Sequence, residues 1–220
     1  MVLENMGGAI EHWLGFQEKI GRAFMMNEDA LKYPLADYLV NDGNIEIKSV
    51  SLEKAHPNFS NRLVDVSIFD SISMAINNFF ELKLAKAETR HQSEKQRIFN
   101  DVMRLYLANI VSRDKCYFII CGKSTNFIRD FRDFPNSGNG FYQKWFSFIK
   151  GQSLTFDVAT EKNTDYLTIY QNFLSTYSGS YQGPGTSVLN LPNMITTTCE
   201  FITGFKATVV PYMTGIWSVT

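Results

Sequence analysis

Asp65, Glu81 and Lys83 are the residues of this sequence whose types and spacing can do chemistry together. Asp65 lies in an alternating segment, 62–69, and Glu81 and Lys83 lie in a second one, 78–85. A short polar connection, 70–75, makes the two a hairpin whose midpoint falls near residue 73. Residues whose numbers sum to about 146 then face each other, which pairs Asp65 with Glu81. Side chains alternate along a strand, so Asp65, Glu81 and Lys83 share one face, while Val64, Val66, Ile68, Phe80, Leu82 and Leu84 take the other. Two carboxylates that meet can bind a hard divalent cation such as Mg²⁺. An adjacent lysine can orient water or stabilise developing negative charge.

The surrounding elements must hold that face in place. Apolar residues Ile10, Trp13, Leu14, Ile20 and Phe24 predict an N-terminal helix over 8–25. Asn27 is a capping residue for a second helix reaching about Val40, with Glu28 and Asp29 in its first turn and Pro34 as a point of kinking. The alternation in 45–52 predicts a strand before the hairpin. The stripe Ile98, Val102, Leu105, Tyr106 and Ile110 predicts a helix over 93–111, and the apolar run 116–121 reads as a buried, parallel-type strand. Beyond it, 126–134 reads as a short helix and 135–140 as a loop. Segments 141–149 and 164–177 read as helices, 178–185 as a Gly- and Ser-rich mobile stretch, and the chain from Met194 as two or three strands.

The order of elements, with Asp65 late in one strand and Glu81-Leu82-Lys83 in the following one, resembles the PD-(D/E)XK nuclease superfamily. The motif itself is short, and Val64 stands where the pattern has proline. The resemblance covers 28–122. It implies an α/β, restriction-endonuclease-like αβββαβ core with a mixed sheet flanked by helices, over approximately 28–123 of a single domain, 1–220, with a C-terminal α+β elaboration over 136–220. It implies a Mg²⁺-dependent hydrolase, with Mn²⁺ as the alternative ion, cleaving nucleic acid, DNA first, in repair, restriction or phage defence. Asp65, Glu81 and Lys83 are then catalytic, and Asp65 and Glu81 bind metal. Glu28, on the helix before the first strand, matches the family's additional metal ligand ahead of Glu18 and Glu11; partnership with the helix dipole is an equal reading of Glu28. Lys86, Arg90, Arg97 and Arg104 form a basic stretch able to follow a phosphate backbone. Asp101 shares a helix face with Arg97 and Arg104, where a salt-bridged surface is the simpler reading. The competing function is a catalytically inactive binding or assembly module on the same fold; a third is an α/β interaction protein whose E-x-K is coincidental.

Composition narrows the rest. The chain has 220 residues, 45% hydrophobic content and 18 Phe, enough for a substantial core. A formal charge of −1 argues against a polycationic nucleic-acid coat or membrane-surface protein. The three cysteines, Cys116, Cys121 and Cys199, show neither CxxC spacing nor an even count, which argues against a disulfide framework or a zinc site. No signal peptide or membrane span is legible, so a cytoplasmic setting without membrane partners is expected, with a homodimer as an option. The stretch Gly122-Lys123-Ser124 resembles the end of a phosphate-binding loop, but Tyr117 stands where that loop needs glycine. His12, His56 and His91 lack metal-ligand spacing. The aromatic run Phe141, Tyr142, Trp145, Phe146 and Phe148 has core or dimer spacing.

Overall fold

A computed structural model describes residues 2–73, 75–112, 115–132, 141–157, 164–183, 194–203 and 211–220. The predicted loop 135–140 lies outside these residues, as do 184–185 of the Gly- and Ser-rich stretch and the side chain of Ile110. The fold is α/β. Seven strands form one mixed sheet in the order β1-β2-β3-β4-β7-β6-β5, with helices against both faces. The strands are β1 (Val50–Ala55), β2 (Leu63–Phe69), β3 (Ile76–Ala85), β4 (Lys115–Lys123), β5 (Ser153–Asp157), β6 (Met194–Ile202) and β7 (Tyr212–Val219). Among the described strands only β3 and β4 run parallel. The helices are α1 (Leu3–Lys19), α2 (Glu28–Asn41), α3 (Gln92–Ser112), α4 (Ser124–Asn126) and α5 (Thr164–Tyr177). No helix among the described residues is long and apolar enough to cross a membrane.

One face of the sheet is covered by α1 and α2, whose Met6, Ile10, Leu14, Leu31, Leu35 and Leu39 bury Val66, Ile68, Phe80, Leu82 and Ile119. The other is covered by α3 and α5. There Ile98, Phe99, Val102 and Phe173 meet Phe79, Phe118, Trp145 and Trp217. Because the middle of β3 and most of β4 are buried on both sides, they read as apolar runs, interrupted in β3 beyond Asn78 by Glu81 and Lys83.

Several boundaries differ from expectation for identifiable reasons. Helix α1 stops at Lys19, not residue 25, because Gly21 takes a left-handed φ of 76° and Arg22 N–H returns to the Gln17 carbonyl. The strand expected at 45–52 begins only at Val50. Val50 already pairs with Ile68, near the end of β2, so the preceding residues have no partner strand among the described residues; Ile47–Ser49 form a 3₁₀ turn and Ile47 is exposed. The helix expected at 141–149 reduces to a 3₁₀ turn, Tyr142–Lys144. The carbonyls of Trp145 and Ser147 instead accept from Thr197 Oγ1 and Trp217 Nε1, which ties this segment under β6 and β7. The short helix at 126–134 is α4 running into a π-helical turn, Phe127–Arg132. The strands of the C-terminal part extend the same sheet. Strand β7 pairs with β4 from Cys116–Val219 to Lys123–Tyr212, and β6 and β5 continue the same sheet.

Candidate active site

The hairpin register matches the sequence argument. Strands β2 and β3 pair at Val66–Phe80 and Ser67–Phe79, the offset that sets Asp65 opposite Glu81. The ladder stops there. Val64 packs with the α3-side core although Val66 and Ile68 pack on the α2 side, so alternation breaks at Asp65 and the face predicted for Val64 is corrected. In place of a strand carbonyl, Asp65 Oδ2 accepts from Leu82 N–H at 2.8 Å. The fork this opens between β2 and β3 is the floor of a cleft of about 310 Å³, lined by Glu28, Asp65, Glu81, Lys83, Asp101 and Arg104 among others.

Two helices supply the walls. Asn27 Oδ1 accepts from Ala30 N–H at 2.8 Å, capping α2 and starting the helix with Glu28 at the cleft. Glu28 Oε2 lies 3.2 Å from Lys83 Nζ. From α3, Asp101 Oδ2 lies 2.9 Å from Lys83 Nζ and its Oδ1 2.6 Å from Arg104 Nη2, which also reaches Glu81 Oε1 at 3.0 Å. On the α2 side, Lys32 Nζ sits 2.9 Å from Asp29, 2.8 Å from Glu53 and 3.4 Å from Asp65. Glu53 adopts a φ of 54° inside β1, a left-handed backbone that costs a non-glycine residue about 1 kcal/mol or more.

Six carboxylates thus surround three cations. Glu81 is 3% exposed. Burial holds its carboxyl well above the usual range. The Arg104 guanidinium opposes this, while the neighbouring Asp101 and Asp65 carboxylates reinforce it. For Lys83, burial favours the neutral amine but Asp101 and Glu28 outweigh it, so the ammonium is held charged. Arg104 is likewise held charged by Glu81 and Asp101 against its burial. Its Nε is buried without a hydrogen-bond acceptor among the described residues.

The other expected residues distribute unevenly. Arg97 lines the cleft and donates to Glu94 at 2.8 Å. Lys86 is exposed just beyond β3, and the side chain of Arg90 lies outside the described residues. Glu18 and Glu11 belong elsewhere on α1, against Lys123 and Tyr212 and against Thr203. Asp101 faces the cleft and is buried, so the solvated salt-bridged face expected for it is corrected. Lys32, Glu53, Arg62 and Tyr177 escaped sequence reasoning; Lys32 comes from α2, Glu53 from the sheet-edge strand β1, and Tyr177 from α5, more than a hundred positions from Asp65. A larger cleft of about 870 Å³ lies at the opposite ends of β3 and β4, with Lys115 and Glu200 as its charged lining residues. It lacks any comparable grouping of carboxylates.

The donor set fits a divalent cation in chemistry rather than as a finished cage. Within the ion-paired cluster carboxylates exceed cations, and the pressure on Glu81 to stay protonated is what a bound positive ion would relieve. Among the described residues, however, no three His, Cys, Asp or Glu side chains already converge as a ligand set, because Lys32, Lys83 and Arg104 stand among them. Comparison with protein-family models, curated proteins and solved structures returned no match for this chain.

Proposed function

We propose that this protein is a metal-dependent nuclease of the PD-(D/E)XK kind, acting on DNA. The observation that carries the reading is the meeting of Asp65 and Glu81 at the β2–β3 fork with Lys83 on the same strand and Glu28 and Asp101 around it. The order α2-β1-β2-β3-α3-β4, with β4 parallel to β3, supports the restriction-endonuclease-like core. In this reading Asp65 and Glu81 hold a Mg²⁺ ion, or Mn²⁺, and Glu28 is in reach to complete the set. When bound, the ion supplies Lewis-acid stabilisation of the phosphate and lowers the pKa of water. Lys83, held charged by Asp101 and Glu28, orients the attacking water and stabilises charge on the phosphate as it is attacked. Arg104 keeps Glu81 and Asp101 fixed relative to each other, a positioning role.

The test uses supercoiled plasmid, linear duplex, single-stranded DNA and RNA with Mg²⁺, Mn²⁺ or EDTA. Metal-dependent cutting that is lost in Asp65→Asn and Lys83→Ala, both folded, is expected. Absence of cutting on every substrate together with absence of Mn²⁺ binding by calorimetry refutes the nuclease and leaves the inactive binding module, which keeps the same cleft without the ion.

A further inference from the structure

The cations that line the cleft are not equivalent. Lys83 is held by Glu28 and Asp101, Arg104 by Glu81 and Asp101, and Arg97 by Glu94. Arg62 lines the same cleft, half-buried, and no carboxylate among the described residues pairs with it. Its guanidinium instead lies over the ring of Tyr177, 4.9 Å from the centroid. Stacking on an aromatic face fixes the plane of an arginine while leaving its N–H groups directed outward.

The support under Arg62 is firm. His56 N–H donates to the Arg62 carbonyl at 2.8 Å, closing the turn between β1 and β2. Ser60 N–H donates to the Ser180 carbonyl and Gln182 N–H to the Asn58 carbonyl, tying that turn to the segment after α5. Asn58 Nδ2 reaches the Leu107 carbonyl at 2.6 Å, and His56 Nε2 the Arg104 carbonyl at 3.1 Å, fastening the turn to α3. Tyr177 itself is 4% exposed and packs on Phe59 and Phe173. A guanidinium oriented this way beside an acidic cleft has a clear chemical complement, the phosphate of a polyanionic strand.

We infer that Arg62, shelved on Tyr177, is the residue that anchors a backbone phosphate of the nucleic-acid substrate at the mouth of the cleft. This rests on the nuclease reading and shifts phosphate recognition from the α3 stretch, where Arg104 is committed to carboxylates, to the β1–β2 turn. The anchor acts in binding and not in bond cleavage. Arg62→Ala therefore weakens binding.

The experiment measures equilibrium binding of labelled single-stranded and duplex oligonucleotides in Ca²⁺ across a salt series, for the parent, Arg62→Ala, Arg62→Lys and Arg97→Ala. Arg62→Ala is expected to weaken binding about tenfold and to lower the slope of log K against log salt by about 0.7–0.9, the contribution of one phosphate contact. Arg62→Lys, which keeps the charge and loses the planar stack, is expected to fall between and keeps the test valid if the alanine variant folds poorly. Parent-like affinity and slope in Arg62→Ala, with the parent binding and cutting, overturns the anchor alone. A parent that binds neither oligonucleotide overturns both the anchor and the nuclease.

Discussion

Lys83→Met tests whether the cleft is a cluster short of positive charge. The lysine side chain is 12% exposed and joins Asp101 at 2.9 Å and Glu28 at 3.2 Å. At an effective dielectric near 20 each contact has a gross attraction of roughly 5–6 kcal/mol, most of it offset by dehydration of the ammonium. Removing one partner of a buried pair costs about 3–5 kcal/mol when the other charge is stranded. Asp101 keeps Arg104 at 2.6 Å and Glu28 has access to solvent, so the expected loss is about 2 kcal/mol. For a chain of this size that lowers the melting midpoint by about 4–8 °C. Glu81→Gln is the opposite perturbation. The folded state binds the Glu81 proton more tightly than the unfolded state does, so stability falls as pH rises above the ordinary carboxylate range, and removing the ionisable group relieves that loss. Glu81→Gln is thus expected to stay within about 1 kcal/mol of the parent or to exceed it at neutral pH. Adding Asp101→Asn to Lys83→Met is expected to recover about half of the loss. Urea unfolding in EDTA at pH 7.5 reads all four proteins. A parent-like Lys83→Met, or a Glu81→Gln as damaging as Lys83→Met, refutes the account of the cluster.

Two other perturbations probe the scaffold around the cleft. His56 is buried, and because Asn58 N–H donates to its Nδ1 at 3.0 Å its Nε2 carries the hydrogen donated to the Arg104 carbonyl; burial pushes its pKa down to about 4. The unfolded state then binds the extra proton first, so about 3 kcal/mol of stability should disappear as pH falls from about 6.5 to 4, and His56→Gln should flatten that slope in urea unfolding at several pH values. Gly122 faces Ala85 across β3 and β4, and a Cβ there would stand 2.6 Å from the Ala85 carbonyl oxygen. Gly122→Ala is expected to cost about 1–3 kcal/mol by forcing the central parallel pair apart, and an unchanged melting midpoint would contradict the close approach.

The hairpin at the centre of the site was legible because two local signals agree. A short polar turn sets the offset, and alternation sets the face; Asp70 supports the turn by accepting from Ile72 and Ser73 N–H groups. Glu28 was legible for a similar reason, since Asn27 marks where its helix begins. Strand β1 was misplaced because alternation describes a residue's suitability for a strand and not the presence of a partner, and Ile45–Ser49 have none beyond Phe69. The aromatic run near 145 packs in the core as expected but was misread as a helix, because its apolar spacing reflects contact with Trp217 and Phe99 from distant elements. Arg62 and Lys32 were missed because nothing local distinguishes them. Their significance depends on Tyr177 and on Glu53 and Asp65, which only the folded chain brings beside them.

The energetic character of the cleft also bears on why it exists. A buried ionic cluster is a weak way to stabilise a fold, since apolar side chains of similar volume do as well or better. Here the arrangement is less favourable still: carboxylates are in excess, Glu81 is pressed toward its protonated form, and Glu53 holds a left-handed backbone inside a strand while its carboxylate reaches Lys32. The remainder of β3 follows ordinary core logic, with Phe79, Phe80, Leu82 and Ala85 buried. Glu81 and Lys83 depart from it at neighbouring positions on the α3-facing side of one strand, and Asp101 and Arg104 answer them from α3. Such concentrated departures from stable packing are what the proposed metal site would account for and ordinary core packing would not.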